Sequence, residues 1–565
     1  MPPELTDSRR IFLGLPMRLI LFALCLGLAG TATNSVAQQP GVTRSAGSSV
    51  ARMVDPKVLR AHLEFLADDA LEGRKPGTRG GITAAKYIAS QFERLGLEPA
   101  GDSGTYFQRV PIITLDPQPM LGVAGKDSLT WKKDYVLWSM RNDSLVQLRS
   151  GAVFVGYGIV APEYQWDDYA GVDVKGKIVI MLVNDPGLVD STIFRGKVLT
   201  YYGRWTYKIE EAQRHGAAGI LLIHTDESAT YPWTTVFSSW TGPQVRLEVA
   251  PSSLTVAGWL QHDAADRLFR VAGLDLSSLT QAAARHGFRA VPLNLELDAS
   301  VRSAIRRSVT ENVLGRWPGS GKLRNEAVLI GGHYDHFGIS APVNGDSIYN
   351  GAVDNASGTA GVLAAAEAFV RSGVRTERSI VFIGFAAEEA GLLGSQSLAT
   401  NPPFPLRDMA AILNLDELNL FGRTRDVSAL GLEQSSLGKL FNQAAAAEGL
   451  RVTTNQAALV QGEFFRSDHF SLVRAGVPGA FFQSGLDFVG RPAGWGQQQW
   501  DEFVAKRYHQ PSDEVSPSFR YDGAVQQVRV AVRTAVLVAN APTQPIWSKT
   551  SEFRTAGEAR LRASN

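Results

Sequence analysis

Five short blocks in this 565-residue chain bring together ionisable residues of kinds that hold metal ions. The apolar run Ala327-Val328-Leu329-Ile330 leads into Gly331-Gly332-His333-Tyr334-Asp335-His336, and Ser379–Phe385 leads into Ala386-Ala387-Glu388-Glu389. A third run, 410–415, leads into Asp416-Glu417. Gly351-Ala352-Val353-Asp354-Asn355-Ala356-Ser357-Gly358 stands at a helix start, and Tyr508-His509-Gln510-Pro511-Ser512-Asp513 comes near the end. Burying several carboxylates together is prohibitive unless cations neutralise them. Imidazole with carboxylate is a suitable ligand set for zinc. Five such groups, one of them shared, suffice for two tetrahedral sites that each keep a position for a common water. Two metals about 3.5–4 Å apart acidify such a water and polarise a carbonyl.

The blocks need a scaffold that brings strand ends to one edge. After Thr310 the chain alternates strand, loop and helix, with strands at 327–331, Ser379–Phe385, 410–416 and 477–482. Helices are expected at 358–371, 392–399, 436–448 and 523–539. This rhythm predicts an α/β fold: a mixed, mostly parallel sheet with helices on both faces and its functional residues at the carboxyl ends of the strands. Upstream, helical spacing covers 56–67 and 82–95, and the Gly-rich 71–81 between them reads as irregular. The middle of the chain has strands at 152–160, 177–183 and 219–223, with a helix at 209–215. Its histidines His215, His224, His262 and His286 do not cluster and are read as surface or satisfied core residues.

Length alone predicts two or more domains. With 56 basic against 55 acidic residues, there is no basic excess to bind nucleic acid or a membrane surface. An apolar run from Leu19 to Leu28 follows Arg18 and precedes Ser35-Val36-Ala37, the anatomy of a signal peptide over 1–37. That run is too short for a permanent membrane anchor, so the protein is expected to be exported to the periplasm or beyond. Either Met1 or Met17 could start the chain; from Met1, Ser8-Arg9-Arg10-Ile11-Phe12-Leu13 resembles a twin-arginine export motif. The single cysteine, Cys25, lies in the signal, so no disulfide is expected. Small polar residues over 38–50 read as a linker.

Taken singly, the blocks have plainer readings. Glu388-Glu389 could be a solvated pair at a helix start, and Asp354-Asn355 an ordinary N-cap. Other motifs fail. Gly315–Lys322 imitates a phosphate loop with the wrong spacing, and Leu323 stands where a hydroxyl is needed. There is no His-Glu-x-x-His helix and no Gly-x-Ser-x-Gly elbow.

All five blocks, in this order, resemble the di-zinc exopeptidase family that includes secreted bacterial aminopeptidases, the vacuolar aminopeptidase of yeast and glutamate carboxypeptidase. The resemblance runs from about Met53 to Asn540, and its middle is similar to the protease-associated domain that many members carry. It implies a catalytic domain in two parts, 51–114 and 300–545, a β-rich protease-associated lid over 115–299, and a C-terminal tail over 546–565. It implies two Zn²⁺ per chain: His333 and Asp416 on one, Glu389 and His509 on the other, with Asp354 bridging. Glu388 would be the general base, and Asp335 would orient His333 through its second ring nitrogen. Asp468 and His469, in a further family block Ser467-Asp468-His469, would stand behind the ligands or on the substrate side. Glu417 occupies a substrate-side position where many aminopeptidases have Met. His336 is read as a structural or rim residue. The implied activity is release of N-terminal residues from peptide substrates. A carboxypeptidase or related amide hydrolase on the same centre is the alternative, and a metal-free receptor-like homologue a more distant one. Arg423 and Arg425 are the residues that speak for the carboxypeptidase. Oligomeric state stays open.

Overall fold

The computed structural model describes residues 40–124, 129–248 and 252–563; the signal peptide expected at 1–37 lies outside them. Three helices open the described chain: Pro40–Arg52 (α1), Pro56–Leu66 (α2) and Arg79–Arg94 (α3). α1 takes up most of the stretch expected as a linker. Val50 and Ala51 on it are buried, and Arg533 donates to Ser48 Oγ at 2.9 Å. Tertiary packing supplies what the sequence's weak helix preference does not. Asp55 caps α2, with Pro56 at its first position. The Gly-rich 71–81 stretch is partly regular, a tight turn over Asp69–Arg74 followed by the first turn of α3. A Cβ on Gly80 would stand 1.8 Å from the Leu71 carbonyl oxygen, so only glycine lets these two segments meet.

Two long strands, β1 (Phe107–Val123) and β7 (Val291–Trp317), pair antiparallel from Phe107↔Val313 to Val123↔Leu297. Between them in sequence come β2 (Tyr135–Ser139), β3 (Leu145–Phe154), β4 (Ile178–Leu182), α4 (Trp205–Arg214), β5 (Gly219–His224), β6 (Val256–Gln261) and α5 (His262–Val271). After β7 follow β8 (Ala327–His333), α6 (Ser357–Ser372), β9 (Ser379–Phe385), α7 (Leu393–Thr400) and β10 (Met409–Asn414). The chain ends with β11 (Asp426–Leu430), α8 (Leu437–Ala447), β12 (Arg451–Thr453), β13 (Gly479–Ser484), α9 (Tyr521–Ala539) and α10 (Arg554–Arg562). Twelve of these strands run through one sheet in the order β12-β11-β13-β10-β8-β9-β7-β3-β4-β5-β6-β2, with β1 joined to β7 off this path.

β8 lies at the heart of its half of the sheet, parallel to both β9 and β10, and β13 is parallel to β10. β7 and β11 add antiparallel neighbours. Side chains alternate as a strand requires. Val328 and Ile330 pack with Leu63 of α2, Leu363 of α6 and Val528 of α9. Leu329 packs on the opposite face with Leu398 of α7 and Leu472. Helices therefore cover both faces, as the strand–helix alternation predicts.

The 115–299 segment was expected to be β-rich. It carries strands together with α4 and α5, and β3, β4, β5 and β6 are successive parallel neighbours. Ile178 and Ile180 pack with Leu268 of α5, while Val179 and Met181 pack with Ile209 of α4. Unbroken apolar runs such as Ile178–Leu182 suit parallel strands covered on both sides. Both expected boundaries, 115 and 299, fall inside the β1–β7 ribbon. The stretch 546–565, expected as a tail, is packed as far as it is described. Trp547 and Phe553 are buried, and Arg560 of α10 donates to the Met409 and Gly476 carbonyls at 2.8 and 3.0 Å. Among the described residues, no helix is long and apolar enough to cross a membrane.

Candidate metal centre

β8, β9 and β10 end side by side, and the residues that follow them meet at one edge of the sheet. His333 is the last residue of β8, Glu388 and Glu389 follow β9, and Asp416 follows β10. Asp354 comes from the turn before α6, where its peptide bond to Asn355 is cis. Asn355 ties this turn to the β10 loop: its Nδ2 donates to the Leu415 carbonyl at 3.1 Å, and its Oδ1 accepts from Gly358 at 2.8 Å and Glu417 at 3.2 Å. A Cβ on Gly358 would come within 2.2 Å of both Asn355 Oδ1 and the Leu415 oxygen, so glycine is what permits the joint.

The two oxygens of Asp354 face different imidazoles, Oδ1 lying 3.3 Å from His333 Nε2 and Oδ2 3.2 Å from His509 Nε2. His333 Nε2 is also 3.3 Å from Asp416 Oδ1, and His509 Nε2 is 3.4 Å from Glu389 Oε2. Ligand atoms about 2.0 Å from a tetrahedral zinc stand about 3.3 Å from one another. Asp416 Oδ1 is buried without a hydrogen bond, while its other oxygen accepts from Ser467 at 2.6 Å. An unpartnered buried carboxylate oxygen beside an imidazole nitrogen fits a pair that shares a cation. Ligating atoms of His333, Glu388 and Asp416 also lie within 4.8 Å of one another, which puts Glu388 against the same cluster.

The electrostatics agree with that fit. Burial pushes the carboxyls of Glu388 and Glu389 well above the usual range, and neighbouring carboxylates add to it: Glu389, Asp468 and Asp416 for Glu388, Asp354 for Glu389. Burial alone would lower the pKa of His333, but Asp416, Glu388 and Asp354 hold it well above its ordinary value. So many carboxyls cannot all ionise together unless further positive charge joins them.

Several expected roles are refined. His333 Nδ1 is 3.2 Å from the Asp335 main-chain oxygen but 3.8 Å from its carboxylate. The carboxylate accepts instead from the N–H groups of Glu388 and Glu389 at 3.0 and 3.4 Å, so its side chain sets the glutamate pair rather than the imidazole. His336 is no rim residue: it is fully buried, with Nδ1 2.6 Å from Glu389 Oε1. Asp468 is buried and pushed up to about 8, mainly by burial. His469 Nε2 meets the Phe464 carbonyl at 2.8 Å and its ring stacks on Phe481, outside the cluster. Glu417 is half-buried beside Asp416, with φ of +51°. Arg425 is engaged by Asp487 at 2.8 Å.

Two residues of the site were not assigned from sequence. Asp513 is buried, and its carboxylate accepts the N–H groups of Val353 and Asp354 at 3.0 Å, fixing the turn that presents Asp354. Its place four residues after His509 was the available signal. Arg74 is also fully buried. Its guanidinium donates to the carbonyls of Tyr334 (2.6 Å), Asn350 (2.5 Å), Gly351 (3.0 Å) and Leu66, and its charge acts on Asp335, Asp513 and Asp354. Nothing in the Gly-rich stretch around it signals this. Arg74→Met should lower unfolding stability by about 3–5 kcal/mol, because four buried carbonyls lose their donor and the acids behind the cluster lose a cation. Urea melts of the metal-loaded protein check this, and an unchanged midpoint would refute it.

Residues 312–532 match the model of Peptidase family M28. Leupeptin-inactivating enzyme 1 of Streptomyces exfoliatus is 28% identical over 208 residues, 36% of this chain and 43% of that protein. Leucine aminopeptidase 1 of Penicillium rubens is 28% identical over 244 residues, 41% of this chain and 57% of its own length. The chain thus spans about half the length of these curated relatives. Among solved structures, an aminopeptidase from Aneurinibacillus sp. strain AM-1 is similar over 88% of this chain and 97% of its own, at 19% identity and a TM-score of 0.46. The segment matched to Peptidase family M28 contains all five blocks from His333 to Asp513.

Proposed function

We propose that this chain is an exported di-zinc aminopeptidase. The observation that carries the reading is the placement of Asp354 between two imidazoles, each with its own second carboxylate. In this reading His333 and Asp416 would hold one zinc and Glu389 and His509 the other, with Asp354 shared. Bound there, zinc would polarise the scissile carbonyl and lower the pKa of the attacking water. Glu388 takes the proton from that water and delivers it to the nitrogen of the leaving amine. Asp335 holds the Glu388 main chain while this happens, and Asp513 holds that of Asp354. The 115–299 segment supplies no ligand in this reading and acts on access to the cleft. The leader at 1–37 belongs to the same proposal.

The direction of cleavage follows from charge. An aminopeptidase must favour a substrate ammonium, and Glu417, beside Asp416, supplies a carboxylate outside the proposed ligand set. Arg425, which could have favoured a terminal carboxylate, is taken up by Asp487. Free-amine peptides and amino-acid anilides should lose N-terminal residues; N-acetylation should abolish the reaction and C-terminal amidation should change it little. Product analysis by mass spectrometry decides the matter, since trimming of N-blocked peptides from the carboxyl end would refute the aminopeptidase reading.

A further inference from the structure

We propose that a cavity on the far side of α7 from β8 binds a small zwitterion, a free amino acid. The cavity measures about 660 Å³ and is walled by the 115–299 segment, α7 and the residues before α10. That volume lies within the range of about 300–1,000 Å³ usual for small-molecule sites. None of the residues of the metal cluster lines it.

Two ionisable groups on its wall form no ion pair among the described residues. Arg246 is pinned by neutral acceptors, donating to the Ser139 carbonyl and to Asn142 Oδ1 at 2.9 Å. Its Nε is buried without a hydrogen bond, and no carboxylate among the described residues pairs with it. Glu552 accepts one main-chain N–H, from Tyr201 at 2.9 Å, and forms no ion pair among the described residues. Burial pushes its carboxyl up to about 8 against the pull of the Tyr201 N–H and the Arg195 charge, with Asp185 and Glu163 adding repulsion. Elsewhere on the wall charges are matched: Glu210 takes both the Tyr201 hydroxyl and Arg474. A half-buried guanidinium and a half-buried carboxyl on one cavity wall, neither in an ion pair, fit a ligand carrying a carboxylate and an ammonium. The apolar surfaces of Leu393 and Phe553 on the same wall suit an aliphatic side chain.

Calorimetric titration of the metal-loaded full chain with L-leucine tests this, repeated after a chelator has removed the metal. Leucine binding should persist without metal, which separates it from product held at the proposed catalytic centre. Glu552→Gln should weaken it about tenfold or more, the cost of a lost charged hydrogen bond. Ala399→Trp, which fills the cavity from α7, should do the same. N-acetyl-L-leucine and L-leucinamide, each lacking one charge, should bind comparably weakly. Binding that vanishes with the metal, or that both variants leave at the original affinity, overturns the proposal.

Discussion

Glu388→Gln is expected to keep the fold and bind metal as the parent does, while kcat falls by roughly 10²–10⁴, the usual contribution of a positioned acid–base group. The amide preserves size and removes the oxygen that accepts a proton. Its main chain should stay where Asp335 holds it at 3.0 Å. The charge removed is one that burial and three neighbouring carboxylates already disfavour, so the variant should be no less stable and could melt slightly higher. Turnover close to the parent's would sink the assignment of Glu388 as base. Loss of metal together with activity would instead make it a ligand, which its closeness to His333 and Asp416 makes a real alternative outcome.

Asp354→Ala should empty both metal positions, whereas His509→Ala should mainly weaken one. The asymmetry follows from geometry. Asp354 reaches both imidazoles and its side chain is only 6% exposed; His509 reaches one pair of carboxylates and is 36% exposed. Elemental analysis after dialysis should find about two zinc ions per parent chain, about one in His509→Ala and close to none in Asp354→Ala. A parent holding a single ion at full activity would contradict the shared-carboxylate arrangement. Circular dichroism of both variants separates metal loss from unfolding, because the Asp354 main chain remains tied to Asp513 without the side chain.

The half of the sheet that carries the candidate metal centre was legible in sequence because its strands are short, apolar and followed at once by polar residues. His333, Glu388, Glu389 and Asp416 stand where the strand-end rule puts them. What could not be read depends on contacts between distant segments. Arg74 reaches Asn350 and Gly351, more than 270 positions away, and no local pattern announces a cation serving carbonyls from three loops. α1 looked like a linker because its small polar residues become helical only by packing on α9. The parallel pairing inside the 115–299 segment could not be read, since buried parallel strands and sandwich strands share the same apolar runs. The family resemblance implies that the Asp335 carboxylate orients His333, whereas its nearer partners here are the N–H groups of Glu388 and Glu389 beyond β9.

The β1–β7 ribbon has a practical consequence for anyone who wishes to exchange or remove the 115–299 segment. A modular cassette is normally cut at exposed linkers, but here both cut points would sever paired strands. The same β7 that pairs with β3 upstream pairs with β9 downstream, its Val313 opposite Gly384, four residues before Glu388. A graft that keeps 107–123 and 291–317 intact preserves that register. One made at 115 and 299 strips 300–305 of their β1 partners at 115–120, on the strand that runs on to pair with β9.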